Sequence, residues 1–284
     1  MLLWWTFVVV NTVAASCASG RVPYKTMPRA IRSHVRSRER KGGNIGMTYV
    51  QGFLIPSHDK AGYAKMAAEA APIFQDHGAR RIVETWAVDV PDGKRTDMKR
   101  AVALEDGESV VFSWIFYDDK AAFDSAHEGI MKDERMKMPE SPMPFDGKRM
   151  VFGGFEVVYD SGDGGAFGFV DGMVAAVPSD KREDFAAFAE GHGALFKEKG
   201  ALRIVDGWGA DVPAGKVTDF RRAVDLAEDE TVVFGWIEWP DKATRDAAWA
   251  ALMSDPRMAS NKPTWNGPTA IFGGFAPVFD TAHA

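Results

Sequence analysis

One block of sequence occurs twice in this chain, about 120 residues apart. Residues 79–104, ARRIVETWAVDVPDGKRTDMKRAVAL, match 201–226, ALRIVDGWGADVPAGKVTDFRRAVDL, at a constant offset of 122. ESVVFSWI at 108–115 matches ETVVFGWI at the same offset, and VFGGFEVVYD at 151–160 matches IFGGFAPVFD at an offset of 120. A duplication of this density means that whatever one repeat folds into, the chain builds twice. Residues 47–160 form the first repeat, 168–280 the second, and 161–167, containing Ser161-Gly162-Asp163-Gly164-Gly165, read as the linker.

Within each repeat the hydrophobic pattern reads β-α-β-β-α-β. The first strand covers about 48–55 or 168–177 and is expected to end at Pro56 or Pro178. Tyr63, Met66, Ala67, Ala70, Ile73 and Phe74 recur at the spacing of one buried helix face, and Phe185, Phe188, Ala189, Leu195 and Phe196 repeat it. Pro72 should weaken or kink the first of these helices. Gly78 and Gly200 stand where a C-terminal helix cap needs glycine. A second strand (79–88, 201–209) leads to turns at Pro91-Asp92-Gly93 and Pro213-Ala214-Gly215. The third strand, Val110–Ile115 or Val232–Ile237, is apolar on both faces, so it is central and covered on both sides. A second helix is expected to run from Asp119-Lys120 to Met136, or from Asp241-Lys242 to Met258, before a fourth strand carrying Gly153-Gly154 or Gly273-Gly274.

Such a βαββαβ unit is the ferredoxin-like split βαβ, an antiparallel sheet with helices on one face. Its bare face needs a cover, and the second repeat supplies one. The expected fold is therefore α+β: two ferredoxin-like repeats packed into an intrachain, pseudo-dimeric α+β barrel. The chain is expected to be a monomer.

Charge sharpens the division. Residues 1–46 hold eight basic residues and one acid, for +7, so the overall −6 conceals −13 on the remaining 238 residues. A body that acidic repels phosphate backbones, and nucleic acid is excluded as a partner. MLLWWTFVVV at the start has only about 10 strongly apolar residues, short of the roughly 20 that span a bilayer, and no basic residue precedes it. Two readings compete for 1–46: an export signal cleaved near Ser16 and Ala18, and a mis-called start with translation beginning at Met47. The second is favoured, so 1–46 is expected to be disordered or untranslated, the protein cytoplasmic, and residues 47–284 free of membrane contact. The lone Cys17 excludes an internal disulfide framework.

The blocks quoted above resemble the YbaA-like family, a domain of unknown function in the dimeric α+β-barrel superfamily. Met47-Thr48-Tyr49-Val50, His77-Gly78-Ala79, Asp89-Val90-Pro91-Asp92-Gly93-Lys94 and Pro144-Phe145-Asp146-Gly147-Lys148-Arg149-Met150 carry the resemblance in the first repeat. Asp211-Val212-Pro213, Trp236-Ile237-Glu238-Trp239 and Asp255-Pro256-Arg257-Met258 carry it in the second. Members of that family usually hold one copy, are expected to pair as homodimers, and commonly begin at the position of Met47. Thr264–Ala270 departs from the pattern, leaving Lys148 and Arg149 without charged counterparts. The family has no established reaction, so the resemblance implies fold and not function.

The polar residues that recur are Arg81/Arg203, Glu84/Asp206, Asp89/Asp211, Lys94/Lys216, Thr96/Thr218, Asp97/Asp219 and Arg100/Arg222. Alternation along the second strand places Glu84 and Trp86 on one face and Arg81 on the other, with Asp206 and Trp208 equivalent. An acid beside Trp in a sheet-lined pocket could titrate high and serve as an acid or base; the plainer alternative is a structural ion pair. Trp114 and Trp236 could line a cavity between the sheets or simply fill the core. The ligand-pocket candidates are thus Glu84, Trp86, Trp114, Asp206, Trp208 and Trp236. No histidine is matched between repeats, no metal-ligand spacing appears, and no nucleotide or nucleophile motif is present, so no metal and no cofactor are expected. The preferred function is binding of a small molecule between or beside the sheets. The alternatives are a cofactor-independent oxygenase or isomerase, and a structural or interaction module with a filled core.

Overall fold

A computed structural model describes residues 48–136, 142–162 and 164–283; the readings placed on residues 1–46 lie outside them. The first repeat runs β1 (Tyr49–Ser57), α1 (Lys60–Asp76), β2 (Arg81–Asp89), a short α2 (Met98–Ala101), β3 (Ser109–Tyr117), α3 (Lys120–Lys132) and β4 (Val151–Asp160). The second runs β5 (Phe169–Pro178), α4 (Arg182–Glu198), β6 (Arg203–Asp211), a short α5 (Phe220–Ala223), β7 (Glu230–Trp239), α6 (Lys242–Leu252), α7 (Pro256–Ser260) and β8 (Ile271–Asp280). Each repeat is a ferredoxin-like sheet in the order β4-β1-β3-β2 or its equivalent. The two sheets join edge to edge, β2 to β8 and β4 to β6, so all eight strands close into one antiparallel barrel. A domain and its pseudo-dimer partner are thus one hydrogen-bonded object.

Local chemistry accounts for the helix boundaries. Asp59, Asp119 and Asp241 cap α1, α3 and α6 by accepting from the Gly62, Ala122 and Thr244 amides at 3.0, 2.8 and 2.7 Å. Gly78 and Gly200 follow α1 and α4 with φ of +107° and +100°, a conformation that a Cβ opposes. Three expectations need correction. Pro56 does not end β1 but lies inside it opposite Val110. The edge from which its N–H is missing is the one whose carbonyl accepts from Asp146, not the one paired with β3, so the ladder loses nothing. Pro72 leaves α1 continuous because it and Ala68, whose carbonyl it deprives of a partner, both face solvent. The helices after β3 and β7 also end early, at Lys132 and Leu252, and Asp255 starts α7 as a separate turn by accepting from the Arg257 amide.

Eight strands enclose a space just wide enough for side chains to fill. Phe112 and Phe234 stack at its centre, 4.6 Å apart and 4° from parallel, and Trp114 stacks on Trp236 at 4.5 Å. The phenyl pair fits only because each ring lies over a glycine of the other repeat. A Cβ on Gly52 would stand 2.8 Å from Phe234, and one on Gly172 would stand 2.7 Å from Phe112. Met98, Ala101, Val102, Phe220, Ala223 and Val224, from α2, α5 and the residues after them, complete the same core cluster. Among the described residues, no helix is long and apolar enough to cross a membrane.

Candidate functional site

Three of the seven recurring polar pairs join the repeats to each other. Thr96 and Thr218 donate across the barrel to the Ala223 and Ala101 carbonyls at 2.6 and 2.5 Å. Asp97 and Asp219 cap the two short helices at the Arg100 and Arg222 amides. The Tyr49 hydroxyl donates to Asp211, while Arg245 reaches Asp89 at 3.3 Å. Arg81 binds Asp280 of the second repeat at 2.8 Å, and Arg203 binds Asp160 of the first at 2.7 Å. One pair in the recurring set, Glu84/Asp206, instead faces open space.

That space lies outside the barrel. Trp114 and Trp236, considered above as cavity walls, occupy the filled interior, fully or almost fully buried. Alternation sends Val83 and Phe112 inward and Glu84, Trp86, Ser113 and Ile115 outward, beneath α1 and α3. A cavity of about 600 Å³ lies there, its walls supplied by Phe53, Met66, Ile73, Ile82, Ile115 and Phe145. Trp86 flanks it through Tyr63, whose ring it meets at 6.5 Å.

Glu84 sits at the cavity floor, 8% exposed. Tyr63, one α1 face residue, donates its hydroxyl to Glu84 Oε2 at 2.7 Å in a buried bond. Ser113, the partner of Glu84 in the β2–β3 register, supplies a second side-chain hydrogen bond. Burial pushes the Glu84 carboxyl up to about 7, against the opposing pull of the Ser113 and Tyr63 bonds. The result is a carboxyl balanced near neutrality in an apolar chamber. The sequence reading missed Tyr63 and Ser113 as its partners. Their signal was the concerted change in the second repeat, where Tyr63, Glu84 and Ser113 become Phe185, Asp206 and Gly235.

The second repeat holds the equivalent cavity, about 440 Å³, between its sheet and α4 and α6. Asp206 lines it without a hydrogen-bond or ion-pair partner among the described residues, and burial pushes its carboxyl up to about 7. A Cβ on Gly235 would collide with the Asp206 carboxylate, so a serine there could not keep the Ser113 arrangement. Trp208 packs on Phe185 and Val233 beside this cavity. The six candidates therefore divide: Glu84 and Trp86 at one cavity, Asp206 and Trp208 at the other, Trp114 in the core, and Trp236 in the core while also lining the second cavity. Among the described residues, no group of three His, Cys, Asp or Glu side chains is placed to hold a metal ion.

Comparison with known proteins agrees with the repeat structure. A family model described as a protein of unknown function (DUF1428) matches residues 48–147 and again 168–267. The uncharacterized protein YbaA of Escherichia coli (strain K12) is 54% identical over 116 residues, which cover 40% of this chain and 99% of YbaA. Among solved structures, an anthrone oxidase-like protein aligns over 83% of this chain and 93% of its own, with 13% identity and a TM-score of 0.49. An uncharacterized ferredoxin fold protein related to antibiotic biosynthesis monooxygenases, from Listeria monocytogenes 4b F2365, aligns over 81% and 94%, with 9% identity and a TM-score of 0.36. With two tandem matches that together take in most of the chain, this protein belongs to the DUF1428 family of proteins of unknown function.

Proposed function

We propose that the first repeat binds a largely apolar small molecule beneath α1 and α3, with one hydroxyl or amide group turned toward Glu84. The observation that carries this reading is a buried carboxyl, held by Tyr63 at 2.7 Å, on the floor of an apolar cavity of about 600 Å³. That volume lies within the range that encloses a drug-sized ligand, and a few fixed polar groups among mostly apolar walls are how such pockets orient what they bind. 2-Naphthol tests it, followed by fluorescence, with native mass spectrometry of freshly purified protein reporting any ligand carried through purification. Saturable binding is expected in the wild type, and loss of it in Ala70→Trp. Ala70 lines the cavity, and its counterpart His192 shows that a large side chain is tolerated at that helix position. Undiminished 2-naphthol binding by Ala70→Trp would overturn the assignment.

A second reading, a cofactor-independent oxygenase or isomerase, draws support from the Glu84 carboxyl titrating near 7, where proton transfer in either direction is efficient. It requires turnover to fall by about 100-fold or more in Glu84→Gln while 2-naphthol still binds. A purely structural role fits the barrel interior, where aromatic rings leave the centre filled. We also propose that the chain acts as a cytoplasmic monomer, because every barrel edge that a second chain would pair is paired within this one. Native mass spectrometry showing an obligate dimer would contradict the monomer.

A further inference from the structure

The second cavity differs from the first in its walls as well as its acid. Where the first repeat has Met66, Ala70, His127 and Phe145, the second has Phe188, His192, Trp249 and Trp265. These rings form a connected arc. Trp265 meets Phe188 edge to face at 4.9 Å, Phe188 stacks on His192 at 4.8 Å, and His192 and Trp249 both lean on Phe196, at 4.5 and 5.0 Å. Trp249 is further fixed by its indole N–H, which donates to Asp171 at 2.9 Å.

The charges around the cavity are nearly all satisfied. Asp171 accepts from Trp239, Trp249 and Arg245, at 3.0, 2.9 and 2.8 Å. Arg245 also reaches Asp89 and Asp246. Burial pushes His192 down to about 4, so it is uncharged at neutral pH and supplies no positive counterpart. Among the described residues Asp206 has no donor and no cation beside it, and it lines the same cavity as the aromatic walls. Aromatic faces attract cations through their quadrupole, and a desolvated carboxylate is stabilised by an opposite charge.

We propose that the second-repeat cavity is a binding site for an organic ammonium ion, its charge opposite Asp206 and its alkyl groups against Phe188, Trp249 and Trp265. An inorganic cation is the poorer fit, because ring faces offer none of the oxygen ligands that hard metal ions require. This site is separate from the first-repeat cavity and does not rest on the reading given for it.

The test titrates choline and its uncharged isostere 3,3-dimethylbutan-1-ol into the full chain, followed by calorimetry and intrinsic tryptophan fluorescence. Choline should bind about ten-fold or more tightly than the isostere, since each cation–π contact in a desolvated site contributes appreciably. Asp206→Asn, which keeps the shape and removes the charge, should reduce that preference to about three-fold or less, and Trp265→Leu should weaken choline alone. Both titrations are repeated in Ala70→Trp, whose side chain fills the first cavity, so that neither probe's hydroxyl reports from Glu84. Equal binding of the two probes, no choline binding up to ~10 mM, or a preference that survives Asp206→Asn would each overturn the proposal. Because 2-naphthol reports on the first cavity through Ala70→Trp, failure at one site is distinguishable from failure at the other.

Discussion

The two outer cavities are built on the same strands and helices, yet their chemistry has diverged in a coordinated way. In the first repeat Tyr63 and Ser113 both bond Glu84, and the walls are mostly aliphatic and methionine. In the second, Phe185 and Gly235 withdraw both hydroxyls, the acid shortens to Asp206, and rings replace the aliphatic wall. The barrel interior shows the opposite behaviour. Phe112 and Phe234, Trp114 and Trp236, and Gly52 and Gly172 remain matched. Each of these residues packs against the other repeat, so a change in one strains both. An outer cavity is lined mainly by its own repeat, with Asp89 and Pro91 the first-repeat residues at the second, and can drift largely alone. Duplication here preserved the shared surface and released the private ones.

The comparison breaks most visibly if the interior is not shared. Phe112→Ala and Phe234→Ala should each destabilise the whole chain by about 3–5 kcal/mol and by similar amounts, in a single cooperative urea transition. Two separate transitions, with each variant moving only one, would mean that the repeats are independent domains.

Next in size is an asymmetry between equivalent arginines. Arg81 is 8% exposed and engages Asp280 at 2.8 Å and Glu238 at 3.5 Å, and Glu238 accepts from the Trp236 indole at 3.1 Å. Across the pseudo-twofold, Phe116 stands where Glu238 does, so Arg203 rests its guanidinium 4.8 Å from that ring and the Trp114 indole N–H has no partner among the described residues. Arg81→Leu strands two acids inside and should cost about 3–5 kcal/mol, whereas Arg203→Leu breaks an ion pair only with the more accessible Asp160 and should cost distinctly less. Equal losses in chemical denaturation would show that the substitution of Phe116 for Glu238 is energetically silent.

The acids themselves set a pH dependence. Glu84 and Asp206 both hold their protons up to about 7 in the folded chain, well above ordinary carboxyl values. The folded state therefore binds protons more tightly than the unfolded one. This contribution is complete below about pH 4 and is lost as pH rises through 7, at most roughly 3 kcal/mol for Glu84 and 4 kcal/mol for Asp206. His192 works in the other direction, since its depressed value makes acidification costly between its ordinary range and about 4. Subtracting the wild-type stability profile from that of Glu84→Gln or Asp206→Asn cancels the histidine and isolates each acid. Asp206→Asn should flatten the profile more, because Glu84 has two hydroxyl donors and Asp206 has none among the described residues. The reverse ranking would contradict the account of the second cavity.

The smallest effect tests the symmetry of the inter-repeat bonds. Thr96→Val and Thr218→Val remove matching bonds of 2.6 and 2.5 Å, and each should lower stability by about 1 kcal/mol in urea melts.

Much of this could be read from the residues. Offsets of 120 and 122 disclosed the duplication, alternation paired Glu84 with Trp86, and two-sided apolarity placed β3 at the centre of its sheet. Strand alternation does not say which face a second sheet will cover. It was therefore undecided whether the space lay between the sheets, with Trp114 and Trp236, or beneath the helices, with Glu84. Tyr63 carries the periodicity of a buried helix face, and Ser113 sits in an apolar strand; neither looks polar in role until packing brings its hydroxyl to a carboxyl.

The linear sequence by itself determined the elements, their order, the repeat and the need for a partner sheet, because periodicity and self-similarity are properties of neighbours along the chain. Tertiary structure alone decided that the barrel closes by strand pairing, that its centre is filled by rings lying over glycines, and that the open cavities are outside. Those outcomes depend on how wide an eight-stranded barrel is, and on which side chains from distant positions compete for the space within it.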